Sequence, residues 1–317
     1  MSQSHGSQLI SRSESARKGA KAAAKKAAKA AVKTHIETYI ARRGAKAPQA
    51  TRVAALAAPG YSIEVRFVGG LNEAQKAAFK LAADRWSRVI VGDLPDVVVE
   101  GETISNLLIL AEGAPIDGRG NILGQAGPTR LRPGNAGAAR LLPAKGEMTF
   151  DAADLAQMQA DGSLNDVITH EMGHVIGIGT IWERKGFLEG AGTNNPTFTG
   201  PNATFEYGRL RGSPTPLPVP VANVGGPGTR DSHWREAVFG NELMTGTIAA
   251  AGNPLSRMTV ASLQDLGYTV DLNAAEPYSL PSHLELAEGG FLVAHDVQPQ
   301  GIVLPRVPMT LPPDSLA

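Results

Sequence analysis

Residues 166–182 read DVITHEMGHVIGIGTIW, and the pair His170 and His174 inside that run decides how the rest of the chain is read. On a helix, residues four apart lie one turn above each other, so the two imidazoles point at one place. Neutral histidine nitrogen is a good zinc ligand, and a catalytic zinc keeps three protein ligands with a fourth position open. Glu171 follows the first histidine directly and is turned away from both ligands, where it can reach a water on the metal as general base. Leu164, Val167, Ile168, Met172 and Val175 fall on the adjoining face, the apolar stripe that buries a helix and holds its ligands rigid. Chance alone places H-E-x-x-H in a chain of this composition in about one case in a hundred.

Two ligands do not hold a catalytic zinc, and the third must come from elsewhere. Gly177 stands where the helix can break, and the Gly-Ile-Gly of 177–179 suits a left-handed reversal. Position 180, one candidate place for a third histidine, is threonine. The chain instead passes through more than fifty residues of loop-like sequence before SHWREAVFGNELMTG, residues 232–246. This segment contains His233 and Met244. By residue type alone His233 competes with His283, His295 and several carboxylates. Glu242 is the most serious rival, because a glutamate before a later helical turn suits another class of zinc site. Met244 alone reads as core.

Upstream, YSIEVRFVGG (61–70) alternates Ile63, Val65 and Phe67 with Glu64 and Arg66, as a half-buried strand does. Residues 71–92 form the next helix, with Asn72 and Gln75 as a capping box and Phe79, Ala82, Trp86, Val89 and Ile90 on one face. Further strands are expected at 96–100, 104–112 and 146–150. The intervening DGRGNILGQAGPTRLRPGNAG (117–137) reads as turn-rich, and its Gly118-Arg119-Gly120 lacks the G-K-S/T of a phosphate loop. Asp151 is expected as a helix N-cap rather than a calcium ligand, and Ser163 as the cap of the H-E-x-x-H helix with Asp166 as its partner. Asn202, in an Asn-Ala-Thr sequon, is expected to serve a loop structurally.

The whole chain has 317 residues, 42% of them hydrophobic, enough for one large domain or two modest ones. Its 36 glycines and 22 prolines point to long ordered loops. It has no cysteine, which excludes disulfides, thiolate zinc ligands, a cysteine nucleophile and cysteine-based latency. No run of eighteen apolar residues is present, so no membrane span is expected. The N-terminus lacks the apolar core of a secretory signal; export by a route that does not read one is the preferred expectation, residence in the cytoplasm the other. A net charge of zero conceals a split, with residues 1–46 at +9 and the remainder at −9. Residues 1–58 read as a basic Ala/Lys-rich arm and linker, helical or disordered, whose Val32, Ile36, Tyr39 and Ile40 recur at helical spacing. Charge complementarity allows that arm to dock on the acidic body. No aromatic interleaving or recognition motif points to a specific nucleic-acid partner. Residues 59–275 read as the main domain, and 276–317 as a proline-punctuated tail of unassigned role.

HEMGHVIGIGTIW, a long insertion, GTRDSHWRE and NELMTG together resemble the leishmanolysin family of metzincin peptidases. Similarity extends upstream through AADRW, ILGQAGP and GEMTFDAADL and downstream through MTVASLQDLGYTVD, covering roughly residues 61–271. The resemblance implies that His170, His174 and His233 bind one catalytic zinc, that Glu171 is the general base, and that Met244 forms a methionine turn beneath the metal. It implies an α+β metzincin-like fold, with a twisted sheet and active-site helix in the N-terminal part and a mostly irregular C-terminal part after Gly177. Founding members are rich in disulfides and carry secretory and lipid-anchor signals, so the chain resembles the cysteine-free bacterial-type members, and surface anchoring does not carry over. The expected activity is zinc-dependent endopeptidase cleavage of proteins or peptides laid extended along an edge strand. The alternative is a catalytically silent binding or adhesion protein on the same fold, against which an intact Glu171 argues.

Overall fold

The alternating run at Ser62–Gly69 forms strand β2, with Ile63 and Val65 fully buried, and the capped segment after it forms helix α1, Glu73–Val89. The capping box is present: the Asn72 side chain accepts from the Gln75 amide while Gln75 accepts from the Asn72 amide. Phe79, Ala82 and Trp86 on the inner face of α1 are fully buried, each large side chain contributing about 1.5–3 kcal/mol of apolar burial.

The computed structural model describes residues 36–43, 60–226, 228–249, 252–292 and 302–317. Thr38–Ala317 form one unit, and of the other, Met1–Glu37, only the last two residues are described. The basic run up to residue 35 and the linker at 44–59 lie outside the described residues, as does the expected docking of the arm.

A seven-stranded mixed sheet carries the fold. Its other principal strands are β1 (Glu37–Arg42), β5 (Leu107–Ala114), β6 (Ile122–Leu131), β7 (Pro143–Asp151) and β11 (Ile302–Pro305), in the order β1-β2-β5-β7-β6-β11. Strand β12, Met309–Thr310, also pairs with β6. β2, β5 and β7 are parallel, and β6 runs antiparallel to β7. A hairpin of β3 (Val97–Val99) and β4 (Glu102–Ile104) packs a second apolar cluster around Leu108 and Ala144. Helix α2, Ala152–Asp161, and helix α3, Leu164–Ile176, follow β7. Helix α3 packs on α1, β6 and β7 within the main core.

After Gly177 the chain is largely irregular. It is interrupted by short strands β8 (Leu188–Glu189), β9 (Thr197–Phe198) and β10 (Val219–Pro220), and by helices α4 (Pro201–Leu210), α5 (Glu236–Phe239), α6 (Arg257–Leu266) and α7 (His283–Glu288). Among the described residues no helix is long and apolar enough to cross a membrane.

Five local expectations are corrected. Tyr39 and Ile40, placed on a helix face by spacing, lie in strand β1; aromatic and β-branched residues favour a pleated surface once the Ala/Lys run has ended. Residues 122–131, read as turns, form the ten-residue β6, which tolerates Pro128 beside a register shift. The run at 104–112 is split by Asn106, whose φ of 62° ends β4 and whose amide nitrogen bonds the Asp93 carboxylate at 2.8 Å. Ser163 makes no side-chain cap; its hydroxyl bonds Asp161 instead, and Asp166 accepts from the Asn253 side-chain amide at 2.7 Å. Asn202 lies in the first turn of α4 rather than in a loop, donating to Asp265 at 2.8 Å. Asp151 caps α2 as expected, and its other oxygen accepts from the amides of Ile116, Asp117 and Gly118.

Candidate active site

Helix α3 owes its seat to the stripe read from its sequence: Leu164 and Val167 are buried and Ile168, Met172 and Val175 fully so, joined by Ile176. Trp86 of α1 donates its indole N–H to the Thr169 carbonyl at 2.9 Å, locking the two helices in register. At the far end Gly177, with φ 121°, terminates the helix, and its amide donates back to Gly173 and His174. Thr180, standing where a third histidine was sought, donates its hydroxyl to the His174 carbonyl at 2.8 Å. Tyr268 satisfies the Ile176 carbonyl at 2.8 Å.

The structure brings His170, His174 and His233 together. Their Nε2 atoms lie 2.9 to 3.0 Å apart, and all three residues are buried. Each Nδ1 faces a backbone carbonyl: Leu243 at 2.6 Å for His170, Ile178 at 2.9 Å for His174 and Thr229 at 3.0 Å for His233. A carbonyl only accepts, so each Nδ1 carries the proton and each Nε2 presents a lone pair. Three convergent lone pairs with no proton among them repel unless a cation is shared. A tetrahedral zinc with bonds of roughly 2.05 Å separates its ligands by about 3.3 Å, close to the triangle observed. Among the described residues this is the sole cluster of histidines and carboxylates close enough to hold a metal. Burial pulls His170 down to about 3, helped by neighbouring His174, and pulls His174 down to about 4, so the imidazoles stay neutral and ligand-ready.

His233 is delivered by tertiary contacts. Trp234 stacks on Trp182 at 4.5 Å between ring centres and packs edge-on to Phe198. Its amide donates to the Met244 carbonyl and its indole to Thr259 at 2.7 Å. Arg235 ties three carbonyl or amide oxygens, those of Val221, Pro196 and Asn195, into one corner. Gly179 adopts φ 74°, and a Cβ there would sit 2.0 Å from the Ser232 carbonyl oxygen. No other residue lets these two loops pass.

Met244 is fully buried, its side chain against Gly173 of α3. A Cβ added to Gly173 would lie 2.8 Å from its sulfur, so the glycine between the two helical histidines is what lets this side chain approach. Glu242, the rival ligand, is turned away. One oxygen accepts from the Met244 amide at 2.7 Å, and the other from the Ser256 amide and hydroxyl and the Thr259 hydroxyl. It braces the methionine-containing turn. His283 opens helix α7, away from the cluster, and His295 lies outside the described residues.

Glu171 lines the same open cavity as the three histidines, a volume of about 370 Å³. It is buried, and desolvation raises its carboxyl to about 8. Opposite α3 the cavity is walled by Leu123 and Ala126 of β6, residues 228–233, and Val303, Pro305 and Arg306. Sequence reading missed Gly173, Arg235, the bracing role of Glu242 and the C-terminal wall. A glycine inside a helix costs roughly 0.5–1 kcal/mol against alanine, and that cost was the available signal for a close approach at Gly173.

No curated protein matches the chain. The sequence pattern of the leishmanolysin family, peptidase M8, matches residues 138–284, a span that holds all three histidines, Glu171 and Met244. Over that span the chain is similar to the leishmanolysin family, and the match supports a leishmanolysin-like assignment.

Proposed function

We propose that the protein is a zinc endopeptidase with His170, His174 and His233 as metal ligands and Glu171 as general base. The observation that carries this reading is the triangle of imidazole lone pairs beside a buried carboxyl in an open cleft. Zinc, when bound, supplies Lewis-acid polarisation of a carbonyl and of water. Glu171, in the same cavity as the three histidines, takes the proton of the attacking water and returns it to the departing amine, so the peptide bond and one water become an acid and an amine. The three Nδ1–H···O=C bonds keep the ligand ring planes from swinging as charge develops. Met244, with Gly173 against it, gives the ligands an apolar support, and Gly177 turns the chain so that Ile178 can orient His174.

The test is digestion of a denatured protein mixture by the zinc-loaded protein and its Glu171→Ala variant, with new termini read by mass spectrometry. Internal cuts present with the first and missing with the second are expected. Equal cutting by both removes the endopeptidase reading; cutting by neither leaves a latent peptidase or a silent binding protein.

A further inference from the structure

An extended peptide held across this cleft needs the free rim of β6 on one side and the loop before His233 on the other. Both are taken. Residues Ile302–Pro305 run parallel to β6, pairing Val303 with Gly124, Leu304 with Gln125 and Pro305 with Ala126. Arg306 continues the ladder by donating its amide to the Ala126 carbonyl at 3.2 Å and reaches Glu147 of β7 at 3.4 Å. Across the cleft the Val303 carbonyl lies so close to Gly228 that a Cβ there would stand 2.9 Å from it. Val303, Pro305 and Arg306 line the cavity that holds the histidines and Glu171.

We propose that residues 302–306 are an autoinhibitory strap, an intramolecular peptide seated where substrate backbone must bind. The proposal rests on the endopeptidase reading for what it inhibits, though not for what it occupies. Three features support a strap over a permanent sheet strand. Its seat is shallow: Pro305 and Val307 are exposed, and the pairing shifts register between Ile302 and Val303. Its tether is firm. Met309–Thr310 pair with β6, Leu311 and Leu316 pack on the second apolar cluster, and the Ala317 amide donates to the Asp96 carbonyl at 3.0 Å. A short segment so tethered acts at an effective concentration in the millimolar range, which competes with substrate without tight contacts. Its chemistry also resists turnover, because Pro305, which lines the cavity, removes an amide N–H donor from the stretch nearest the site. The strap lies outside the span matched by the family, residues 138–284.

The test compares the full chain with a full-length variant whose residues 302–306 are replaced by glycine and serine, leaving 307–317 in place. Val303→Asp repeats it with a single change, and circular dichroism and zinc content establish that each variant is folded. On a quenched-fluorescence peptide library the replacement should lower the apparent KM roughly tenfold and leave kcat nearly unchanged. A second readout needs no turnover. A fluorescein-labelled peptide GIVLPRVP, residues 301–308, is titrated onto both forms in the Glu171→Ala background, and only the strap-replaced form should bind it. Binding confined to that form without hydrolysis by either chain would keep the strap and discard the peptidase. Hydrolysis with equal KM in both chains and equal peptide binding would overturn the strap and keep the peptidase.

Discussion

Helix α3 and the loop that follows it bring histidines to the same point by opposite means. On the helix, His170 and His174 are placed by a repeat of one turn, on a helix seated chiefly by an apolar stripe and an indole hydrogen bond. On the loop, His233 is placed by contacts scattered from Gly179 to Thr259: a tryptophan stack, an arginine that gathers three oxygens, and a glycine with no space for a methyl group. Positions on the helix should therefore be separable, each with one effect. Positions on the loop should be coupled, so that any one failing moves stability and metal binding together.

Glu171→Ala should show separability at its largest. Turnover should fall by roughly 10²- to 10⁴-fold while zinc content and melting temperature stay near those of the parent, as isothermal titration and calorimetry would read. A variant that also lost zinc would break the contrast. Trp234→Ala should show coupling: truncating a fully buried tryptophan costs about 3–5 kcal/mol, and zinc should be lost in the same preparation. Retained zinc with lowered stability would mean that His233 is held independently of its neighbour. Arg235→Gln is the milder loop test. Losing charge-assisted bonds to partly buried oxygens should cost about 1–2 kcal/mol in urea unfolding and speed zinc release to a chelator.

The smallest effect is a pH slope, in which helix and loop histidines should behave alike because burial acts on all three. In the metal-free protein the folded values are about 3 for His170, about 4 for His174 and well below normal for His233, against roughly 6.5 unfolded. The unfolded chain thus takes up protons first as pH falls. The stability these groups contribute is present above about 6.5 and lost as pH drops toward the folded values. Glu171, raised to about 8, acts with the opposite sign, stabilising most below the ordinary carboxylate range and less as pH rises through 8. With three imidazoles against it, the melting temperature of chelator-stripped protein should decline between pH 6.5 and 4. His233→Phe should make that decline shallower; an unchanged slope would show that the loop histidine is solvated when metal is absent.

How far the sequence could be read follows the same division. The α1 capping box, the Asp151 cap, the β2 alternation and the α3 stripe are local patterns of period two or 3.6, and each appears at the expected residues. Strand β6 was hidden because glycine and proline ordinarily mark turns, whereas here they sit in a strand that forms one wall of the cleft. Strand β1 was hidden because Ile36, Tyr39 and Ile40 fit a helical spacing as well as a pleated one until a neighbouring strand supplies partners. Glu242 could be read either as a metal ligand or as a brace, since only distance separates a carboxylate that binds cations from one that collects amide and hydroxyl donors.

By itself, then, the sequence determined the two helical histidines, their glutamate and the burial of the helix that carries them, because one turn of backbone sets those relations whatever lies around it. Motif resemblance singled out His233 and Met244 without saying how they arrive. Tertiary structure alone decided that Glu242 braces the turn, that Gly173 admits the methionine and that the C-terminal residues lie along β6. Each of those depends on which backbone atoms meet across long separations in the chain. Hydrogen-bond donors and close-packed surfaces acquire such partners only once the chain has folded.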